Sequence, residues 1–181
     1  MHTYIKLNCN GVNCMENFDV IVIGSGIAGI SAAIEARDLG ANVVVLERGY
    51  GGGASGLSGG VVYAGGGTSI QKEAGIEDTP ENMFNYLSQE TKGIVKDETL
   101  RRFCEESPGM IEWLIENGAE FKGTVCEYKT SYPTDRHYLY YSGNEKAWPY
   151  MNHATPAPRG HRQVAPGMSS GNELMRRLTA T

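Results

Sequence analysis

Cysteine, basic charge and long apolar runs are all scarce in this sequence of 181 residues. No apolar run approaches the roughly 18 residues that a helix needs to cross a bilayer. The 16 basic side chains are outnumbered by 21 acidic ones, which gives a net charge of −5 and no basic field to attract nucleic acid or anionic lipid. The first residues lack the apolar centre of a secretory signal. We therefore expect a cytoplasmic protein that binds neither nucleic acid nor membrane.

The four cysteines, Cys9, Cys14, Cys104 and Cys126, are too few and too scattered for a disulfide framework. Cys9 and Cys14 have no second pair of ligands after them, so we expect reduced thiols and no metal site. Residues 1–17 are interpreted as a disordered leader, and the folded domain is expected over residues 18–181.

The start of the folded part has the pattern of a β-α-β unit. Residues 18–24 form a β-branched run that ends in glycine, which is typical of a buried parallel strand. Apolar residues at helical spacing follow, and Gly40 supplies a helix stop. Residues 42–47 read as a second buried strand. This order predicts an α/β fold of the Rossmann type.

A glycine-rich turn joins the first strand to the helix. Its sequence, GSGIAG at residues 24–29, matches G-x-G-x-x-G in the strand–turn–helix context that predicts dinucleotide binding. The first glycine allows the tight turn, the second lets a pyrophosphate approach the backbone, and the third lets the helix pack closely on the strand. The helix N-terminus offers unpaired N–H groups to the phosphates. The predicted ligands in this turn are Gly24, Ser25, Gly26, Ala28 and Gly29.

An acidic residue stands at the end of the second predicted strand. Glu47 follows Gly29 by eighteen residues, at the position where a carboxylate accepts hydrogen bonds from ribose hydroxyls. The same carboxylate would repel a 2′-phosphate, which disfavours NADP. Glu47 and Arg48 are therefore predicted cofactor-binding residues.

A second segment of small residues decides which dinucleotide is expected. An NAD-binding domain would proceed to another strand and helix, whereas here the chain reads GGGASGLSGGVVYAGGGT at residues 51–68. A flexible linker would have no reason to interrupt its glycines with Leu57, Val61, Val62 and Tyr63. The segment therefore predicts an ordered surface that lies against a ligand.

At these residues the chain resembles the flavoprotein family of fumarate reductases, succinate dehydrogenases and 3-ketosteroid dehydrogenases. Residues 18–48 resemble the family's first FAD fingerprint, and residues 54–60 its second. The sequences YYSGNE at 140–145 and TPAPRGHR at 155–162 are most similar to the ketosteroid dehydrogenases, especially the Δ4 type. The resemblance covers residues 18 to about 178 and implies FAD as the cofactor. Its further implied FAD ligands are Ala54, Ser55, Ser58, Gly59 and Gly60.

The mode of FAD attachment follows from the same resemblance. Relatives of the succinate dehydrogenase type attach the flavin covalently through a histidine shortly before the second motif. The corresponding position here is Gly53, and no histidine occurs between His2 and His137. We therefore expect non-covalent FAD.

Three amphipathic helices are predicted after the small-residue segment. Thr79 and Pro80 begin the first, Asp97 caps the second, and Ser107 with Pro108 begins the third. The side chains expected to point inward are Leu100, Phe103, Trp113, Leu114 and Ile115.

The remaining third of the chain is predicted to be rich in strands and turns. Six of the ten tyrosines lie in residues 128–150, which favours a half-exposed sheet or a ring-lined wall. A proline-rich loop is expected at residues 155–167. Ser170 and Glu173 then have capping-box spacing before a last helix. We interpret residues 119–165 as the start of a substrate-side insertion.

The combined prediction is an FAD-dependent oxidoreductase that acts on a CH–CH bond next to a carbonyl, with a 3-ketosteroid-like substrate favoured. Such chemistry needs a hydride acceptor and a general acid or base, and His161 and Arg159 are the candidate catalytic residues. Reduction of an unsaturated carboxylate stays open because Arg159 and Arg162 would suit a carboxylate. A non-catalytic FAD-binding module also stays open. Only two Rossmann strands are evident, so we expect an incomplete sheet that a C-terminal half or a partner chain would complete.

Overall fold

The computed structural model describes residues 17–131 and 134–181. The predictions for the leader and for Cys9 and Cys14 lie outside these residues, apart from Asn17. Over the described ranges the chain forms two small sheets with helices packed around them.

The first sheet contains the predicted strand–helix–strand unit. Its elements are β1 (Val20–Ile23), α1 (Ile27–Asp38) and β2 (Val43–Leu46). The two strands are parallel, with Val20 opposite Val43 and Ile23 opposite Leu46. Helix α1 buries Ile30 and Ile34. The predicted order is confirmed.

The second sheet contains four short strands in the order β3-β6-β5-β4. They are β3 (Val61–Tyr63), β4 (Val125–Cys126), β5 (Leu139–Tyr140) and β6 (Gly160–Arg162). Strand β6 is antiparallel to β3 and to β5, and β4 is parallel to β5. The strands within residues 119–165 thus share one sheet with β3, which directly follows the second motif at residues 54–60.

Strand β6 lies inside the segment for which we predict a proline-rich loop, so that prediction is wrong for Gly160–Arg162. All three residues are buried. The strand can form because Pro158 and Pro166 flank it and every residue within it keeps its N–H for the ladder. The Arg162 amide, for example, donates to the Tyr138 carbonyl at 2.9 Å.

Five further helices and a short 3₁₀ turn complete the described elements. They are α2 (Gly53–Leu57), α3 (Ser69–Glu73), α4 (Pro80–Thr91), α5 (Asp97–Glu116), the 3₁₀ turn (Tyr150–Asn152) and α6 (Ser170–Ala180). The prediction for α4 is confirmed, since Pro80 begins it and the Thr79 side chain accepts the Asn82 N–H. None of the helices in the described ranges is long and apolar enough to span a membrane.

The two helices predicted between Asp97 and Gly118 form one continuous helix, α5. Lys96 is its N-cap and Pro108 lies inside it. The Ser107 hydroxyl is buried and accepts the Gly65 N–H at 3.3 Å, so it does not cap a new helix. Burial of apolar side chains on both sides of the proline outweighs the roughly 3 kcal/mol that a proline costs inside a helix.

The capping box predicted at Ser170 and Glu173 is also wrong. Ser169 is the N-cap of α6 and makes no side-chain cap. The Ser170 hydroxyl instead accepts the Nε–H of Arg162 at 3.0 Å, and Glu173 accepts hydrogen bonds from Arg176 and Arg177. Ser170 thus bonds to Arg162 and Glu173 bonds to two arginines, so neither side chain forms the predicted capping box.

The main core lies between α1, α5, α6 and the second sheet. Its buried members include Ile30, Ile34, Ile111, Leu114, Leu139, Leu174 and Leu178. The inward positions predicted on α5 are confirmed for Leu100 and Leu114, whereas Phe103 is 38% exposed. The tyrosine-rich segment is divided: Tyr138, Tyr140 and Tyr141 are buried, and Tyr128 is 59% exposed.

Candidate functional site

The two glycine-rich motifs meet at the N-terminus of α1. The Gly52 N–H donates to the Ser25 hydroxyl at 3.0 Å, and the Ile27 N–H donates to the Ser55 hydroxyl at 3.2 Å. Residues from the first turn and from α2 therefore form one continuous surface, although about 28 positions separate them in the sequence.

The glycines of the first turn differ in what requires them. Gly24 has a φ of +96°, a conformation that favours glycine. A Cβ at position 29 would lie 2.0 Å from the Gly24 carbonyl oxygen, so close packing of α1 on the turn excludes any side chain there. At Gly26 the nearest atom to a Cβ would be the Ser55 hydroxyl at 3.8 Å. Nothing in the described chain needs glycine at position 26, which leaves room for a ligand beside it.

The start of α1 carries positive polarity that the Ser55 hydroxyl compensates in part. Gly26 is its N-cap and has no side chain to cap it, and the first turn contains no acidic residue. Ala28 is exposed in that turn. Since the first N–H groups of a helix have no partner within the helix, this end suits an anion such as a diphosphate.

Glu47 lies beside the same turn, directly after β2. Its Oε2 accepts hydrogen bonds from the Ser25 amide at 2.9 Å and the Ser25 hydroxyl at 2.8 Å. Its Oε1 accepts the Gly49 N–H at 2.8 Å. These bonds, led by the Ser25 amide, lower the pKa of Glu47 to about 2. The carboxylate is therefore charged at neutral pH, and it stays exposed, so a sugar hydroxyl can reach it. Arg48 is exposed next to it.

Helix α6 explains part of the small-residue requirement in the second motif. A Cβ on Gly60 would lie 2.3 Å from the Ser170 carbonyl carbon, and a Cβ on Gly171 would lie 2.3 Å from the Ser58 carbonyl oxygen. The Ser58 hydroxyl itself bonds to the Ser55 carbonyl at 2.7 Å and accepts the Gly60 N–H at 3.1 Å.

These contacts fix the shape of the motif from inside the protein. Ala54 remains exposed on α2 and Gly59 half-buried after it. The residues present thus fit an FAD diphosphate and ribose at the start of α1. Among the described residues no group of three or more His, Cys, Asp or Glu side chains could hold a metal ion.

The two candidate catalytic residues are both wholly buried. The Arg159 guanidinium binds Asp78 through two hydrogen bonds of 2.8 Å, and neither side chain is exposed. Although burial raises the pKa of Asp78, the Arg159 guanidinium holds it below its usual value. The positive charge of Arg159 is therefore already balanced by the Asp78 carboxylate within the fold.

His161 is enclosed by two hydrogen-bond partners. Its Nδ1 lies 3.1 Å from the Arg159 carbonyl oxygen, and its Nε2 lies 2.9 Å from the Thr68 hydroxyl. A carbonyl can only accept, so Nδ1 carries the proton and Nε2 accepts from Thr68. Burial lowers the pKa of His161 to about 4. The imidazole is neutral at physiological pH, and its catalytic role stays a prediction.

Sequence reasoning missed four buried polar residues around these two side chains: Thr68, Gln71, Asp78 and Glu145. Thr68 and Gln71 form a capping box at the start of α3, and their T-x-x-Q spacing could have found them. Glu145 accepts hydrogen bonds from the Tyr63 hydroxyl at 3.3 Å and the Gly143 amide at 2.9 Å. Burial raises its pKa. No local pattern marks Asp78 or Glu145.

A cavity of about 140 Å³ adjoins Gly59. Val61, Tyr140 and Met168 contribute apolar surface to it, and Arg162 and Asp135 line the polar side. Arg162 bonds to Asp135 at 3.1 Å and to the Ser170 hydroxyl at 3.0 Å. The second motif therefore borders a small, mostly apolar space.

Comparison with known proteins finds a family and several relatives. A family model described as "FAD binding domain" matches residues 19–181. The 3-oxo-5-alpha-steroid 4-dehydrogenase of Comamonas testosteroni is 53% identical over 154 residues, which are 83% of this chain and 29% of that protein. The acrylate reductase flavoprotein subunit of Shewanella woodyi is 34% identical over 119 residues, covering 65% of this chain and 23% of that protein.

A solved structure is also similar. The crystal structure of the 3-ketosteroid-delta4-(5alpha)-dehydrogenase from Rhodococcus jostii RHA1, in complex with 4-androstene-3,17-dione, matches with a TM-score of 0.85 and 40% sequence identity. The match covers 90% of this chain and 35% of that one. The chain thus spans about a third or less of the length of these relatives.

Proposed function

This chain belongs to the FAD binding domain family, and we propose that it binds FAD non-covalently through the turn that opens α1. The observation that carries the proposal is the meeting of both glycine-rich motifs at that helix end. In this assignment the amides at Gly26 and Ala28 face the diphosphate, and Glu47 accepts a hydrogen bond from the adenosine ribose.

We further propose that the whole protein oxidises or reduces a CH–CH bond next to a carbonyl in a 3-ketosteroid-like substrate. When bound, FAD supplies the acceptor for the hydride that leaves the substrate carbon. The chain's own residues bind and orient: the turn holds the diphosphate, and Gly59 of the second motif borders a small, mostly apolar cavity. The 53% identity to a 3-oxo-5-alpha-steroid 4-dehydrogenase supports this substrate class.

Reduction of an unsaturated carboxylate is the second candidate, and the similarity to an acrylate reductase flavoprotein subunit favours it. The sequence assigns the carboxylate to Arg159 and Arg162. Arg159 is wholly buried and bound to Asp78, which argues against that assignment and places the steroid-like substrate first.

The proposal is tested by titrating the chain with FAD and following flavin fluorescence. We expect saturable binding that Gly26→Val and Glu47→Ala weaken. Anaerobic mixing of the FAD-loaded whole protein with a saturated 3-ketosteroid is expected to bleach the yellow absorbance. Reoxidation of chemically reduced flavin by acrylate or fumarate, without bleaching by the steroid, would support the second candidate instead. If the chain is colourless after incubation with excess FAD and removal of the free cofactor, the cofactor assignment is contradicted.

A further inference from the structure

The buried Asp78–Arg159 pair lies near the C-terminal end of β3. The second motif, residues 54–60, lies at the other end of this strand. Arg159 immediately precedes β6, and its Nε and Nη2 each donate to Asp78 at 2.8 Å. The Asp78 carboxylate also accepts the Gly66 N–H at 3.1 Å, three residues beyond the end of β3. One carboxylate therefore holds both the side chain that enters β6 and the backbone that leaves β3.

The ladder between β3 and β6 connects this pair to the second motif. At one end the Ala64 amide donates to the Arg159 carbonyl at 2.9 Å, and at the other the Gln163 amide donates to the Gly60 carbonyl at 2.9 Å. Gly60 is the last residue of the motif. A slip of one residue would move Gly60 along the strand by about 3.3 Å and turn every side chain of β3 to the opposite face.

The strands themselves do little to prevent such a slip. Each has three residues, and glycines flank β3 at positions 59–60 and 65–67. Short strands bordered by glycine specify their register weakly because few side chains discriminate between the two alignments. The two hydrogen bonds between Arg159 and Asp78 form only at one alignment of β3 and β6, and they therefore favour the observed register over a shifted one.

Space around the pair is also restricted. A Cβ on Gly65 would lie 2.7 Å from Asp78 Oδ2 and 2.9 Å from Arg159 Nε. The backbone of this segment therefore passes directly over the ion pair, and a slip that placed Ala64 there would bring a side chain against it. A slip in the opposite direction would place Gly66 there, so against that slip the discrimination comes from the hydrogen bonds of Asp78 to Arg159 and to the Gly66 N–H.

We infer that the Asp78–Arg159 ion pair is a register lock, which fixes β3 against β6 and thereby positions Gly59 and Gly60 at the cofactor site. The inference rests on the proposed FAD site. Both side chains are wholly buried, so they are positioning residues that act through the two strands. Buried ion pairs stabilise proteins little, and fixing one arrangement among several is their better attested use.

The test compares Asp78→Asn with Glu145→Gln in the full chain. Both changes replace a buried carboxyl of the same cluster by an amide of nearly the same shape. Glu145 meets β3 through the Tyr63 hydroxyl at 3.3 Å, and its backbone donor, Gly143, lies outside both strands, whereas Asp78 bonds to the backbone that leaves β3 and to the residue that enters β6. Two quantities are measured at a temperature where circular dichroism shows each protein to be folded. The first is the set of NMR contacts between the backbone protons of Val62 and His161, which lie opposite each other. The second is the FAD dissociation constant from fluorescence quenching.

We expect Asp78→Asn to give a second set of amide resonances for residues 60–64 and to weaken FAD binding at least about tenfold, because apparent affinity falls with the fraction of competent molecules. Glu145→Gln is expected to keep one set of resonances and to stay within about twofold of the parent in affinity. A merely stabilising pair would lower the unfolding midpoint of Asp78→Asn and leave the resonances and the FAD affinity of the folded protein unchanged; that result overturns the lock.

The readouts separate the two proposals. A parent chain that does not bind FAD contradicts the proposed function, while the resonances of the variants still decide whether the register is locked. Where Asp78→Asn does not fold, Arg159→Lys takes its place, because lysine keeps the charge but loses the bidentate fork. A single set of resonances with parental Val62–His161 contacts in folded Arg159→Lys overturns the lock equally.

Discussion

The Ser55 hydroxyl accepts the Ile27 N–H at 3.2 Å, so a residue of the second motif covers the first amide of α1. This contact joins α2 to the turn that we assign to the diphosphate. In the proposed site a phosphate would lie beside the Ser55 side chain, near the amides of Gly26 and Ala28.

Gly26→Ala separates ligand binding from folding. A Cβ at position 26 would meet only the Ser55 hydroxyl at 3.8 Å, and the backbone there has a φ of −67° that any residue adopts. We expect an unchanged unfolding midpoint and FAD binding weaker by about tenfold, or ~1.4 kcal/mol, measured by calorimetry and fluorescence titration. Equal FAD affinity in the variant and the parent would contradict the placement of the diphosphate.

Gly29→Ala is the matched change with the opposite expectation. Its Cβ would lie 2.0 Å from the Gly24 carbonyl oxygen, which the backbone can relieve only by moving α1 away from the turn. We expect a loss of about 3 kcal/mol or more in the free energy of unfolding, measured by urea denaturation. A variant as stable as the parent would show that α1 does not pack on the turn this closely.

Gly171→Ala tests the contact between α6 and the second motif. The added Cβ would lie 2.3 Å from the Ser58 carbonyl oxygen, so we expect a loss of about 3 kcal/mol. Gly109→Ala, inside α5, is the control because a Cβ there meets nothing within 4 Å. Its expected effect is a gain of about 0.5–1 kcal/mol from helix propensity. Equal stability of the two variants would contradict the close approach of α6.

His161 should make stability depend on pH below neutrality. Its pKa falls from 6.5 to about 4 on folding, so between these values the unfolded chain binds the extra proton. Stability is therefore complete above pH 6.5 and declines as pH falls to about 4, by about 3 kcal/mol at 1.36 kcal/mol per unit. Denaturation curves of the parent and of His161→Gln at pH 7 and pH 4.5 check this. If the stability of the parent depends on pH no more steeply than that of the variant, the prediction is wrong.

Glu145 should act in the opposite direction. Burial raises its pKa in the folded state, so its contribution is complete below the unfolded pKa of about 4.5 and is lost as pH rises through the folded pKa. We expect Glu145→Gln to gain stability relative to the parent as pH increases from 4.5 to 8, measured by thermal unfolding. A constant difference across that range would show that Glu145 does not change its protonation in the fold.

The strand–turn–helix–strand order around the first glycine-rich turn could be predicted because its signals are local. The strand, the glycine spacing and Glu47 lie within thirty residues, and each of these signals depends on residues that are close to it in the sequence. Strand β6 could not be predicted, because three residues between prolines form a strand only when β3 and β5 are already beside them. The continuity of α5 through Pro108 likewise depends on packing that no local pattern encodes.

The buried polar cluster shows the same limit. Arg159 and His161 attract notice as loop residues with functional side chains, but their partners Asp78 and Thr68 lie about 80 to 90 positions earlier. Only the folded chain shows that these polar groups bond to one another, while Arg159 Nη1 is buried without a hydrogen-bond partner among the described residues. In the structure, both catalytic candidates form their hydrogen bonds with other buried groups of the same chain.

The backbone contact between Gly60 and Ser170 has a consequence for synthesis of the protein. While the ribosome is still adding residues after the second motif, that motif can already contact the first turn, where Ser55 accepts the Ile27 N–H, but α6 is missing. Its permanent neighbour emerges more than a hundred residues later. Contact of the motif with α6, and with it any cofactor binding that needs this contact, should therefore follow the emergence of Gly171 from the exit tunnel.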